Sequence, residues 1–299
     1  MTHPSTPCAS SSVDGGLAVV RLGFTAEPIV DISGASETPL YSECLARMMV
    51  ADSAVLKGGD FIEDLETYGG IELLDAAILD LVLDALADDP GVALGCNISP
   101  RTLSDATAWK SVLRRVDERQ WLASRLTLEM TETCPLNEIP HAGSRLAELR
   151  RLGCRIAIDD FGAGYASPQY LQQADIEWDV VKIDRSCFAG PQDGPSVRNT
   201  LHSLVLQASC FAPVVVVEGL ETYDRLSAAQ DAGARFGQGW LFDGPVRDRW
   251  MTPGAASRLS AAMMRSCATA KQLSRSNPRS GQGVHPCAKH SQAAEKGFP

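Results

Sequence analysis

Eight polar residues in this chain are spaced as though each closed a structural unit: Glu43, Asn97, Glu129, the adjacent Asp159 and Asp160, Lys182, Glu218 and Gln238. From Asn97 onward they recur every 20 to 36 positions, each at the end of an apolar run such as "RIAIDD" or "PVVVVEG". Five are carboxylates, and crowded like charges cannot all stay ionised without positive charge among them. Lys182 is the side-chain cation of the set, and one ammonium does not balance five acids. Hard divalent cations do, because carboxylate and amide oxygens are the ligands magnesium and manganese prefer. The histidines, at 3, 141, 202, 285 and 290, fall at none of these positions, which disfavours zinc. An adjacent Asp-Asp pair lets one carboxylate bridge two ions while its neighbour binds the second. Paired ions suit phosphodiester cleavage, activating the attacking water and neutralising the developing charge. Taken alone, "DDFGAG" reads better as a solvated turn. Its recurrence with other polar strand ends weighs against that reading, since crowding uncompensated carboxylates is costly.

The elements that must gather these residues form a repeating chain. Short apolar strands ("GVALGCN", "RLTLEMTE", "RIAIDD", "WDVVKID", "PVVVVEG", "RFGQGW") alternate with amphipathic segments such as "IPHAGSRLAELRRLG" and "ETYDRLSAAQDAGA". That rhythm implies parallel strands joined by right-handed crossovers. Before it, "LAVVRLGFTAEPIVDI" and "LYSECLARMM" flank the turn signal "SGASETP" and read as an antiparallel pair. A helix is expected over 71–88, with apolar residues at helical spacing and acids on the other side. Six strand and helix units after an opening pair fit a closed α/β barrel, TIM-like (β/α)8 with an antiparallel first strand, better than an open sheet. The strand ends of such a barrel converge on one mouth, where active sites on this fold are built. Residues 1–16 read as a flexible arm, 17–265 as the barrel domain, and 266–299, poor in large apolar groups, as a disordered basic tail.

Composition narrows the ligand classes. A formal net charge of -10 disfavours nucleic-acid binding, whose affinity comes largely from lysine and arginine against phosphate. A phosphate-bearing ligand therefore needs local cations. The start lacks the basic and apolar regions of a signal peptide. The most apolar stretch, "IELLDAAILDLVLDALADD", is interrupted by Asp75, Asp80 and Asp84, so no membrane span is read and a cytoplasmic protein is expected. Nine cysteines without a CxxC pair argue against a zinc cluster or a disulfide framework.

Seven motifs stand in order along the chain: "ECLAR", "CNIS", "LEMTE", "DDFGAGYAS", "KIDR", "VEGLET" and "QGWLF". Together they resemble the EAL domain, the bacterial cyclic di-GMP phosphodiesterase module, over about Phe24 to Pro245. The resemblance implies a cyclic-guanylate-specific phosphodiesterase that opens cyclic di-GMP to linear pGpG with two Mg2+ or Mn2+ ions. It implies that Glu43, Asn97, Glu129 and Asp159 hold one ion, and Asp159, Asp160 and Glu218 the other. Lys182 would orient and polarise the hydrolytic water, with Glu218 helping as ligand or base and Glu43 sharing in catalysis. Gln238 would support the water and ligand network. Arg47, on the same strand face as Glu43 and Leu45 by the period of two, would meet a substrate phosphate. Glu27, Leu45 and Pro245 complete the substrate-binding set. Glu132 and Glu221 would anchor the loop from Phe161 to Ser167, which carries Gly162, Gly164 and Tyr165. Helix capping is the other reading of Glu132 and Glu221, and a surface pair with Asp184 the other reading of Lys182.

The chain also departs from the family's pattern. "EPIVD" places Glu27 where a glutamine is usual; when ionised it only accepts hydrogen bonds and adds negative charge facing an anionic substrate. Weaker ligand binding with metal binding retained is the expectation. The loop has alanine at 163 and 166 and Pro168, which are mild changes. "MMVADSAVLKGGDFIEDLETYGG" lacks the aromatic and histidine pattern that normally follows the signature, and is expected to reshape the rim and dimer contacts more than the chemistry. Beside the enzyme stands a second reading, a cyclic di-GMP receptor or protein-interaction module with little turnover, and behind it a barrel enzyme acting on another phosphorylated substrate. A homodimer is expected, with regulation through a separate protein partner, dimerisation or expression level.

Overall fold

The computed structural model describes residues 20–36, 38–50, 55–131, 136–163, 176–188, 195–242, 247–252 and 255. Glu132, Gly164, Tyr165, Ser167 and Pro245 lie outside the described residues, as do the expected arm and tail.

Ten strands are described: β1 (Val20–Asp31), β2 (Tyr41–Val50), β3 (Val55–Lys57), β4 (Leu94–Ile98), β5 (Leu126–Met130), β6 (Arg155–Phe161), β7 (Val180–Ile183), β8 (Val214–Val217), β9 (Phe236–Gln238) and β10 (Arg247–Trp250). Strands β4 to β9 pair in parallel in chain order, and β2 joins β4 in parallel. β1 runs antiparallel to both β2 and β9 and so closes a ring of eight strands. The connection from Asp31 to Tyr41 is shorter than the dozen or more residues a parallel crossover requires, which leaves the antiparallel pairing open.

β1 and β2 are longer than the barrel wall. Gly23–Ala26 of β1 pairs with β10, and Arg47–Met49 of β2 pairs with β3. The sheet thus continues past the mouth as an antiparallel extension in the order β10-β1-β2-β3. Glu27 and Pro28 fall where the partner of β1 changes from β10 to β9, so the missing N–H of Pro28 interrupts no ladder on that side. Glu43, read from the sequence as a strand end, is instead the third residue of a ten-residue strand that runs on past the mouth.

Alternation along each strand divides the core. Leu126, Leu128 and Met130 of β5 join the large apolar cluster between barrel and helices, while Glu129 faces inward. Inside the barrel, Ile29, Tyr41, Ala157, Val180 and Val216 form a separate apolar plug. Tyr41, Ala157, Val180 and Val216 each stand two positions before Glu43, Asp159, Lys182 and Glu218, so the plug is the floor on which those polar groups sit.

Helix α1 (Ile62–Tyr68) leads into α2 (Ile71–Asp88), which has the expected bounds and buries Leu74, Ile78, Leu79, Val82, Leu83 and Leu86 against the barrel. Arg125 closes its C-terminal end, donating to the carbonyls of Leu86, Asp89 and Val92 at 2.7 to 2.9 Å. No described helix is long and apolar enough to cross a membrane. One acid of α2 departs from the outward-facing expectation. Asp75 is buried and accepts hydrogen bonds from the Ser99 amide at 2.9 Å and Thr102 Oγ1 at 2.5 Å, tying α2 to the short helix Pro100–Ser104 that follows β4.

Burial pushes the Asp75 pKa up to about 7 against those hydrogen bonds. A carboxyl raised in the folded state gives stability that is complete below its unfolded pKa and is lost as pH rises through the folded value. Between pH 5 and 8 this group should cost about 3 kcal/mol. Asp75→Asn keeps an acceptor oxygen and removes the titration, so its urea-unfolding free energy should fall less steeply with pH than that of the wild type. Equal slopes in the two proteins would exclude this account.

Candidate active site

The paired aspartates pose a geometric problem, since neighbours in a strand face opposite sides of the sheet. Asp160 solves it with φ of 57°, in the left-handed region that aspartate tolerates better than most residues. The pairing with β7 skips at the same point, between Ile158 opposite Val181 and Phe161 opposite Ile183. Ligand oxygens of Asp159, Asp160 and Glu218 then lie within 4.8 Å of one another, as do those of Glu43, Glu129 and Asp159. Asp159 belongs to both groups.

Glu43 and Lys182 are the hubs. Glu43 Oε2 accepts from Lys182 Nζ at 2.9 Å and Gln238 Nε2 at 2.8 Å, and Oε1 accepts from Asn97 Nδ2 at 2.6 Å. Lys182 Nζ also lies 2.8 Å from Glu129 Oε2, 3.1 Å from Asp159 Oδ1 and 2.7 Å from Glu218 Oε1. Its side chain is wholly buried, which removes the surface-pair reading; Asp184 instead accepts from the Ser186 amide. Burial favours the neutral amine, but Asp159, Glu129, Glu218 and Glu43 together hold the Lys182 pKa well above its ordinary value.

The acids respond unequally. Burial raises Glu129 to about 8, with Glu43 and Asp159 adding to the rise and Lys182 opposing it. Burial and then Asp159 raise Asp160 to about 7, and burial holds Glu218 well above the usual carboxylate range. Glu43 alone of the five is lowered: burial opposes ionisation, but Lys182 and the hydrogen bonds from Gln238, Lys182 and Asn97 outweigh it.

One ammonium offers three N–H bonds to four carboxylates. Asn97 Oδ1, Glu129 Oε1 and Gln238 Oε1 are buried and accept no hydrogen bond, while Glu129 Oε2 and Asp159 Oδ1 have only their ion-pair contact with Lys182. Such oxygens are the donors a hard divalent cation takes, so the residues present fit metal binding.

Gly95 makes room for this arrangement. A Cβ there would sit 2.2 Å from Glu129 Oε1 and 2.7 Å from the Tyr41 ring. Neither Gly95 nor Tyr41 was among the expected site residues, although a glycine inside an apolar strand run is a signal of close approach.

Glu27 is half-buried and stands opposite Glu43 across the β1–β2 pair; burial first, then Glu43, raises its pKa. Leu45 and Arg47 line a cavity of about 440 Å³ beside Glu43, and Arg47 Nη1 donates to the carbonyls of Leu45 and Ala46. A second cavity, of about 280 Å³, is bordered by Asp160, Glu218, Glu221 and Gln238. Arg185 and Trp240, absent from the expected set, border both cavities, and the Trp240 side chain is 71% exposed.

Two assignments change. Phe161, expected to begin the loop, is the last residue of β6 and is buried in the main core, with Gly162 turning away behind it. Glu221 does not cap the helix that follows, Tyr223–Asp231. Thr222 is the cap, its hydroxyl accepting from the Arg225 amide, while Glu221 pairs with Arg225 at 3.2 Å.

The fold and site define a TIM-like barrel protein with a metal-competent acidic centre at the barrel mouth. The EAL domain family matches residues 16–245, and the chain belongs to that family. Among curated relatives it is 28% identical over 229 residues to the cyclic di-GMP phosphodiesterase PdeF of Escherichia coli, covering 74% of this chain and 29% of PdeF. It is 27% identical over 215 residues to the cyclic di-GMP phosphodiesterase RocR of Pseudomonas aeruginosa, covering 70% of this chain and 54% of RocR. The chain therefore spans about half or less of the length of these relatives. The EAL enzyme Bd1971, solved with cAMP and cyclic di-GMP bound, superposes with a TM-score of 0.66 at 25% identity, covering 81% of this chain and 64% of that one.

Proposed function

We propose that the chain is a metal-dependent phosphodiesterase that hydrolyses cyclic di-GMP to linear pGpG. The observation that carries this reading is the double use of Asp159, which completes one oxygen cluster with Glu43 and Glu129 and another with Asp160 and Glu218. The names of PdeF and RocR support the substrate. Two Mg2+ or Mn2+ ions, when bound, would supply water activation and charge neutralisation. Glu43, Glu129, Asp159 and the free oxygen of Asn97 would hold one, and Asp159, Asp160 and Glu218 the other. Lys182 keeps its proton under this field of acids and orients the attacking water by donating to it. Glu218, 2.7 Å from the Lys182 ammonium and bordering the second cavity, takes the proton. Gln238 and Asn97 hold the Glu43 carboxylate in place through their amide N–H groups. Arg47, Leu45 and Glu27 border the space for the dinucleotide, and Glu221 borders the second cavity. In this reading residues 17–265 are the catalytic unit of a cytoplasmic homodimer, regulated through a separate protein partner, dimerisation or expression level.

The test is incubation of the full chain with cyclic di-GMP and Mn2+, beside an EDTA sample and Glu43→Ala, with products resolved by mass. A linear dinucleotide formed only by the wild type with metal is the expected outcome. Binding without metal-dependent product would replace the enzyme with the receptor reading.

A further inference from the structure

The altered segment after the signature strand does more than change the outline of the rim. β3 alternates exposed Val55, half-buried Leu56 and exposed Lys57, and its pairing with β2 sets Lys57 directly across from Arg47. Both side chains line the 440 Å³ cavity, whose wall also carries Glu27 and Glu43. Lys57 is exposed, Gly58 and Gly59 after it line the same cavity, and the Lys57 amide donates to Asp60 Oδ2 at 2.8 Å, fixing the strand end. Arg47 already commits Nη1 to two backbone carbonyls. Among the described residues neither Arg47 nor Lys57 forms an ion pair with a carboxylate. The charges of Arg47 and Lys57 both act on Glu27, lowering a pKa that burial and Glu43 raise.

We propose that Lys57 is a second phosphate-recognising cation of this cavity, set beside Arg47 by β3, and that it offsets the negative charge Glu27 adds to the same wall. This rests on the reading of the cavity as a cyclic dinucleotide site. A cyclic dinucleotide carries two phosphates: the acidic centre takes the one that is cleaved, and Arg47, with Nη1 engaged by its own backbone, has few donors left for the other. Lys57 supplies the other contact from a flexible stem, and its position on an added strand leaves the metal-binding oxygens untouched.

Steady-state kinetics of the full chain with Mn2+ and cyclic di-GMP at low and high salt test the idea. Lys57→Met should raise KM about 2-fold to 5-fold at low salt, with the change shrinking in high salt and kcat moving little, as a solvent-exposed charge contact predicts. Lys57→Arg should restore KM. Glu27→Gln should lower KM, and the double variant should return towards the wild type. An unchanged KM in Lys57→Met, with the wild type active, would overturn the role of Lys57 alone. A wild type that binds cyclic di-GMP without turning it over moves the same comparison to dissociation constants. A wild type that neither binds nor cleaves it removes both the phosphodiesterase reading and this one.

Discussion

Replacing Lys182 with methionine should slow the proposed hydrolysis at least about 100-fold and leave the metal-free protein badly destabilised at neutral pH. The methionine fills much of the volume but leaves Glu43, Glu129, Asp159 and Glu218 facing one another without the ammonium now 2.7 to 3.1 Å from each. Removing one partner of a buried ion pair costs about 3–5 kcal/mol, because the remaining charge is uncompensated. The variant's acids should relieve the repulsion by taking up protons. Their raised folded pKa values give stability that is present below the unfolded carboxylate range and lost as pH rises, so the deficit should be small at pH 5 and large at pH 8. Mn2+ should raise the melting temperature of the variant more than that of the wild type, while the rate stays down about 100-fold to 1,000-fold, the range for loss of one preorganised hydrogen-bond donor. A metal-free Lys182→Met protein that melts with the wild type at pH 8 would show that the ammonium is not what holds the acids together.

Gly95→Val should strike the same centre from below. The floor beneath Glu129 has no spare volume: a Cβ would overlap both its carboxylate and the Tyr41 ring, and Tyr41 is itself packed under the Arg155 guanidinium at 5.5 Å. Glu129 is the group that can move, and moving it opens one of the two oxygen clusters. Overpacking of this kind costs about 1–3 kcal/mol, and displacing one ligand should weaken Mn2+ binding by at least the roughly 10-fold to 100-fold seen when only a ligand's support is lost. Calorimetric titration of Mn2+ into the two proteins measures this directly. Unchanged affinity would mean that Glu129 is not a ligand.

Much of this architecture was legible because it depends on local patterning. The 3.6-residue spacing of apolar groups located α2 at 71–88, and the strand runs ending in Glu129, Asp159, Lys182 and Glu218 placed those residues on one rim once the strands were taken as parallel. The misplaced features depend on contacts between segments distant in sequence. Asp75 looked like one more outward acid, because its donors belong to Ser99 and Thr102, more than twenty residues away. Glu43 looked like a strand terminus, because nothing local says that β2 outruns the barrel wall. The left-handed turn at Asp160 leaves no mark in residue type, since aspartate beside aspartate is equally at home in an open loop. Arg185 and Trp240 lie within the quoted "KIDR" and "QGWLF" but gain meaning only where two cavities meet.

The antiparallel extension separates two jobs that most barrel enzymes crowd onto the same loops. Glu129, Asp159, Lys182 and Glu218 are mounted on strands locked into the closed wall, whereas Arg47 and Lys57 ride on sheet that has left the wall and is bordered by the short edge strands β3 and β10. One face of this extension packs Leu22, Phe24 and Met48 into the main core, so under the proposed function substitutions on its other face can retune what the domain grips while the barrel wall that carries the acids stays as it is.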